Sequence, residues 1–154
     1  MVAALRRLAA YAVARGVRLM LENDDVITAD PAKLIPILDA LGPEVGLVLD
    51  TGNIEPVMSE VSRSFIAGEE PNDVADPEPT YSVIEMLLPR AEVVHVKTYG
   101  FKEDGSSTVY DLKRVLQILV DGNFTGPVTI EYAGHDAAAA DRVIQRTIDL
   151  IRAA

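Results

Sequence analysis

The chain has no cysteine. Disulfides and thiolate metal sites are therefore excluded, and any metal ion must be held by oxygen and imidazole. Imidazole is itself scarce, with two histidines in 154 residues, too few for a site built from several of them. Positive charge is also short: 14 Lys+Arg face 24 Asp+Glu, for a formal charge of −10. Such a surface repels phosphate backbones, so no nucleic-acid partner is expected. A bound cation would still create a local site of the opposite sign. No apolar run is long enough to span a membrane. The N-terminal stretch MVAALRRLAAYAVARG is interrupted at Arg6, Arg7 and Arg15 and so lacks the unbroken apolar core of a secretory signal. It reads as an amphipathic helix of the fold, and a cytoplasmic location is expected.

What the sequence does have is apolar content, 49% of the residues against 25% charged, the profile of a globular domain with its own core. Four short apolar runs recur, each ending in or near an ionisable residue: Val17 to Glu22, Val45 to Asp50, Val93 to Val96 around His95, and Pro127 to Glu131. Runs of this length, rich in Val, Ile and Leu and bounded by Gly or Pro, predict strands buried on both faces, which means a parallel sheet.

Helical periodicity fills the intervals. The first helix is expected over about Val2 to Arg15, with Leu5, Leu8 and Ala12 inward and Gly16 as its cap. The second has Asp30 as N-cap and Pro31 in its first turn, buries Leu34, Ile35 and Leu38, and stops at Gly42-Pro43. A third runs from about Thr80 to Leu88. The fourth, Tyr110 to Val120, turns Leu112, Val115, Leu116 and Leu119 inward and ends at Gly122. The last starts near Ala137 and carries Val143, Ile144, Ile148 and Ile151. Residues 54–79, with four prolines and an acidic stretch, read as a long loop that either covers a ligand or lies idle in solvent. Strands alternating with helices predict right-handed βαβ crossovers in an α/β fold.

In parallel α/β folds ligands collect at the carboxyl ends of strands. Glu22, Asp50 and Glu131 close their runs, and His95 sits one residue from the end of its own. A barrel would bring all four to one mouth. Carboxylates about 4 Å apart then repel by ~4 kcal/mol per pair at an effective dielectric near 20. Protonation, a cation such as Lys97, or a metal ion relieves that cost, and a divalent ion is the simplest. A single acid after a strand is commonly an N-cap or a solvated loop residue; four in succession favour a site. Two Glu, one Asp and one His suit Mn²⁺, Mg²⁺, Co²⁺ or Zn²⁺. Lys97 is read either as a ligand for a substrate oxygen or as a partner of these carboxylates. Asp24 and Asp25 read as loop carboxylates, His135 as a loop histidine near the mouth, Tyr99 and Phe101 as packing over a ligand or in the core, and Asp104 to Ser107 as a turn.

These segments resemble the C-terminal half of the sugar phosphate isomerase/epimerase group of xylose isomerase-like TIM barrels. The resemblance rests on Leu21-Glu22-Asn23, Leu49-Asp50-Thr51-Gly52-Asn53, His95-Val96-Lys97 and Gly126 to Tyr132, and it covers nearly the whole chain. It implies a single domain over residues 1–154: a partial (β/α)8 TIM barrel of about four parallel βα units preceded by one helix. It further implies one divalent metal on Glu22, Asp50, His95 and Glu131, with Glu22 and Glu131 doubling as the acid/base pair. Asn23 and Asn53 would contact sugar hydroxyls or support the ligands, and Lys97 would bind substrate. The implied partner is a sugar, sugar phosphate or related hydroxy-ketone, epimerised or isomerised next to its carbonyl. Two positions depart from the usual pattern: Asn53 stands where many members have His, and Thr98 where an Asp is common. A full barrel needs about 250 residues, so either a preceding half-barrel or a homodimer is expected to complete this one. Two rivals stand beside this reading: a non-catalytic metal- or sugar-binding module, and a zinc-dependent abasic-site endonuclease.

Overall fold

The computed structural model describes residues 1–24 and 26–154; Asp25, read above as a loop carboxylate, lies outside them. Four strands, β1 (Met20–Glu22), β2 (Gly46–Asp50), β3 (Ala91–Thr98) and β4 (Val128–Tyr132), form one sheet in sequence order with every pairing parallel. Helices α1 (Val2–Val13), α2 (Pro31–Leu41), α3 (Val57–Ala67), α4 (Glu78–Leu87), α5 (Leu112–Asp121) and α6 (Ala140–Ala153) lie before, between and after them. The alternation of parallel strands and helices expected from the sequence is therefore present. Among the described residues no helix is long and apolar enough to cross a membrane.

Local signals placed several helix ends. Asp30 accepts from the Ala32 N–H at 2.9 Å and Asp111 from the Lys113 N–H at 2.9 Å, each satisfying a helix donor that would otherwise be orphaned. Gly16 takes φ +71 just beyond α1 and lets Val17 N–H reach back to Ala12. Elsewhere packing overrode the pattern. Leu8 was expected inward but is 54% exposed, because the face of α1 turned to the protein is centred on Ala9. The 54–79 segment is not a bare loop, since α3 occupies much of it. It is tied to the turn after β3 by an Asp73–Lys102 ion pair and by Val74 N–H on the Val109 carbonyl.

The main core lies on the helix side of the sheet, where Leu47, Leu49, Val94 and Val96 meet Leu34, Ile84, Leu87, Val115 and Leu116. Only β2 is buried throughout; β1 is half-buried and β4 alternates between half-buried and exposed. The outer strands thus depart from the two-sided burial read in the sequence, since each has a single neighbour and an uncovered inner face. One irregularity sets the whole register: Leu47 pairs with Ala91 but Val48 pairs with Val93, so β3 carries one extra residue, Glu92. The Glu92 carboxylate pairs with Arg18 and lies over Gly46, where an added Cβ would come within 2.7 Å of it.

Unpaired β1 and β4 edges, with Leu8, Tyr11 and Val13 exposed on α1 and Val17 exposed ahead of β1, form a template for association. The isolated 154-residue chain is expected to elute from size exclusion, with light scattering, as a dimer or larger species. A monodisperse monomer that melts cooperatively would contradict this.

Candidate metal centre

Strand register alone gathers the site. Side chains alternate between the faces of a strand, so residues two apart, or directly paired, share a face. Glu22 pairs with Val48, which puts Asp50 on the Glu22 face; Asp50 pairs with His95; Lys97, two residues on, pairs with Glu131. All five project from the inner face, away from the helices. The nearest ligand atoms of Glu22, Asp50, His95 and Glu131 lie within 4.8 Å of one another.

The four differ sharply in exposure. Asp50 is fully buried on a central strand, whereas the Glu22 and Glu131 side chains, on the two outermost strands, are 33% and 47% exposed. Asp50 Oδ1 accepts from the backbone N–H groups of Gly52 (2.8 Å) and Asn53 (2.9 Å) in the turn that follows β2. Its Oδ2 is buried without a hydrogen bond; Lys97 Nζ stands 3.2 Å away, as an ion-pair contact only. Lys97 Nζ also lies 3.4 Å from Glu131 Oε1 and donates to Asn53 Oδ1 at 2.8 Å. His95 Nδ1 is 3.1 Å from Glu22 Oε1.

Burial pushes the Asp50 carboxyl up to about 7, against the pull of Lys97 and the Gly52 N–H, and the neighbouring Glu131 carboxylate adds to the rise. In the metal-free protein the folded state therefore binds a proton more readily than the unfolded chain, whose aspartate titrates near 3.8. The sign follows from linkage: the contribution is fully present below about 4 and is lost as pH rises through about 7, on the order of 4 kcal/mol in all. Urea midpoints of the metal-free chain should fall across that window, and Asp50→Asn should flatten the fall. A midpoint that rises from pH 4 to 7 would contradict it.

Behind the ligands is a layer of neutral groups. Asn23 is fully buried: its Oδ1 accepts from the Asp50 N–H (2.7 Å) and its Nδ2 donates to the Asp50 carbonyl (2.9 Å). It clamps β1 to β2, with its amide engaged by backbone groups of the β2 end. Asn53 bridges Lys97 and Asp24, donating to Asp24 Oδ1 at 3.0 Å. Thr51 and Tyr110 were not singled out in the sequence. The Lys97 N–H donates to Thr51 Oγ1 (3.1 Å), the Tyr110 hydroxyl donates to the Lys97 carbonyl (2.7 Å), and the two hydroxyls lie 2.9 Å apart. Position Thr51, inside the Asp-Thr-Gly-Asn motif, was the available signal; Tyr110 lies 59 residues away with none.

Tyr99 and Phe101 join the core, with the Arg146 guanidinium over the Phe101 ring. His135 is exposed, packs its ring at 5.7 Å from Phe65, and is not among the four converging groups. Asp104 to Ser107 form a turn held by Asp104 Oδ1 on the Ser106 N–H.

The donor set fits a divalent ion. Three carboxylates and an imidazole converge, one buried carboxylate oxygen lacks a hydrogen bond, and the ordinary ligands of a hard or borderline cation are all present.

Comparison with known proteins bears on the family and the fold. The family described as xylose isomerase-like TIM barrel matches residues 1–154. No curated protein matches the chain. Among solved structures, the probable 3-DHS dehydratase AsbF of Bacillus anthracis, involved in petrobactin synthesis, superposes with a TM-score of 0.63 at 13% identity, over 98% of this chain and 55% of that one. A sugar phosphate isomerase/epimerase of Parabacteroides distasonis gives 0.48 at 12% identity, over 99% of this chain and 65% of that one. The chain thus spans between half and two thirds of the length of these structures.

Proposed function

The chain belongs to the xylose isomerase-like TIM barrel family, and from that premise we propose that it carries the catalytic half of a divalent-metal-dependent isomerase or epimerase. Its substrate would be a sugar, sugar phosphate or related hydroxy-ketone, and its reaction proton transfer next to a carbonyl. The observation that carries this reading is the division of labour among the carboxylates. Asp50 is buried and central, while Glu22 and Glu131 are the exposed pair, on strands at opposite sides of the cluster.

Glu22, Asp50, His95 and Glu131 would hold the ion. When bound, a divalent ion supplies positive charge that polarises the carbonyl and steadies the negative charge developing on its oxygen. The protein's own part is proton movement and orientation. One of Glu22 and Glu131 takes the proton from the carbon beside the carbonyl with a carboxylate oxygen, and the other returns one from the opposite side. Asp50 and His95 hold position between them. The Lys97 ammonium, 3.4 Å from Glu131 and bonded to Asn53, would with Asn53 orient a substrate hydroxyl or phosphate oxygen. The inner face opposite the cluster is to be closed by further βα units, from a preceding segment or from a second copy. Only then would water be excluded from the site.

Metal analysis of the purified chain followed by assays on a panel of ketoses and ketose phosphates tests this. Deuterium from solvent should enter the carbon next to the carbonyl. Bound metal without exchange, even after addition of a complementary half-barrel, would point instead to a binding module. Loss of water from the substrate in place of epimerisation would assign a dehydratase.

A further inference from the structure

Lys97 stands where a bound cation would be felt most. Its Nζ is 3.2 Å from Asp50 Oδ2 and 3.4 Å from Glu131 Oε1, two of the four ligand groups. An ammonium and a divalent ion sharing those oxygens repel each other, and the repulsion doubles with the charge of the ion. If the metal reading above holds, the ammonium must leave Asp50 when the site is loaded.

Packing leaves it little choice of direction. A Cβ added to Gly52 would meet Lys97 Cδ at 2.7 Å and Lys97 Cβ at 2.8 Å, so the lysine stem lies flat on that glycine. The same added Cβ would meet the Tyr99 hydroxyl oxygen at 2.5 Å. Tyr99 is 4% exposed, and its hydroxyl has no hydrogen-bond partner. Asp50 Oδ2 and the Tyr99 hydroxyl are the two buried side-chain polar atoms without a hydrogen bond among the described residues, and both border Lys97. An unpartnered buried hydroxyl is destabilising, because its hydration is lost and nothing replaces it. Phenylalanine would keep the ring's edge contact with Tyr110, at 6.1 Å, without that cost.

We propose that Lys97 has two seats: against Asp50 in the metal-free protein, and on the Tyr99 hydroxyl, still held by Asn53, when a divalent ion occupies the four ligands. Tyr99 is then a positioning residue. It accepts the displaced ammonium and so lowers the cost of loading the site, while the lysine serves as the internal counter-charge that keeps Asp50 and Glu131 together beforehand.

The test is a double-mutant cycle read by calorimetric titration of Mn²⁺ into the chain. With Lys97 present, Tyr99→Phe should weaken Mn²⁺ binding about tenfold. In the Lys97→Met background the same change should alter affinity by less than about twofold, and Lys97→Met alone should tighten binding. Lys97→Gln provides a second neutral side chain should the Met variant fail to fold. Metal-free Tyr99→Phe should resist urea at least as well as the parent, which separates this role from a packing role. Unchanged Mn²⁺ affinity on Tyr99→Phe, or an equal loss in both backgrounds, would overturn the two-seat lysine and leave the metal site standing. Failure of the parent chain to bind Mn²⁺ would remove both.

Discussion

Glu131→Gln is expected to lower kcat/KM about 10³-fold while the fold persists. The side chain is nearly half exposed and its polar neighbours, Lys97 and Asp50, belong to the site itself, so its loss as a base is separable from any loss of structure. Glutamine keeps the shape and removes both the negative charge and the ability to carry a proton. Glu22→Gln should fall by a similar factor, since the other member of the pair cannot act on both sides of the reacting carbon. The two variants should differ in isotope behaviour. One should still exchange the substrate proton with solvent without completing epimerisation, and the other should do neither. Circular dichroism and urea midpoints check the fold; if both variants keep more than a tenth of parental activity, the acid/base assignment is wrong.

The second large effect is thermal. A ligand at 1,000 times its Kd stabilises the folded state by about 4 kcal/mol, which for a chain of this size raises Tm by about 10 °C. Saturating Mn²⁺ should produce such a rise, and a chelator should reverse it. Asp50→Asn separates the two contributions of that residue. The metal-free variant should melt higher than the parent near pH 8, because a buried charge without full compensation has been removed. It should show almost no gain from Mn²⁺, because the central ligand is gone. A rise equal to the parent's would place the ion elsewhere.

Much of this architecture was legible before any coordinates. Short apolar runs ending at Glu22, Asp50, His95 and Glu131 became adjacent parallel strands, because buried strands and their termini are local features. Asp30 announced a helix start for the same reason. Long-range features were not legible. Helix α3 was hidden by the prolines around it, and Leu8 was misassigned because a periodic pattern on Ala-rich sequence does not say which face meets the protein. Asn23 bonds the Asp50 backbone, 27 residues away, a pairing that its place beside Glu22 in the sequence does not announce. The Thr51–Tyr110–Lys97 linkage joins three segments that nothing in the linear order connects.

The extra residue at Glu92 acts as a half-period phase shift in an alternating code. Upstream of it, Ala91 points to the helices; downstream, Val93, His95 and Lys97 point the other way, in step with Asp50. Were Glu92 paired regularly instead, Val94 would stand opposite Asp50, and the imidazole and the ammonium would turn outward. Deleting Glu92 would keep Val93 beside Val48 and His95 beside Asp50, whereas one residue added between Val93 and His95 and paired without a second bulge would not. A one-codon insertion there could thus erase the chemistry and spare the scaffold, which makes the spacing between Val93 and His95 as much a part of the site as any side chain that lines it.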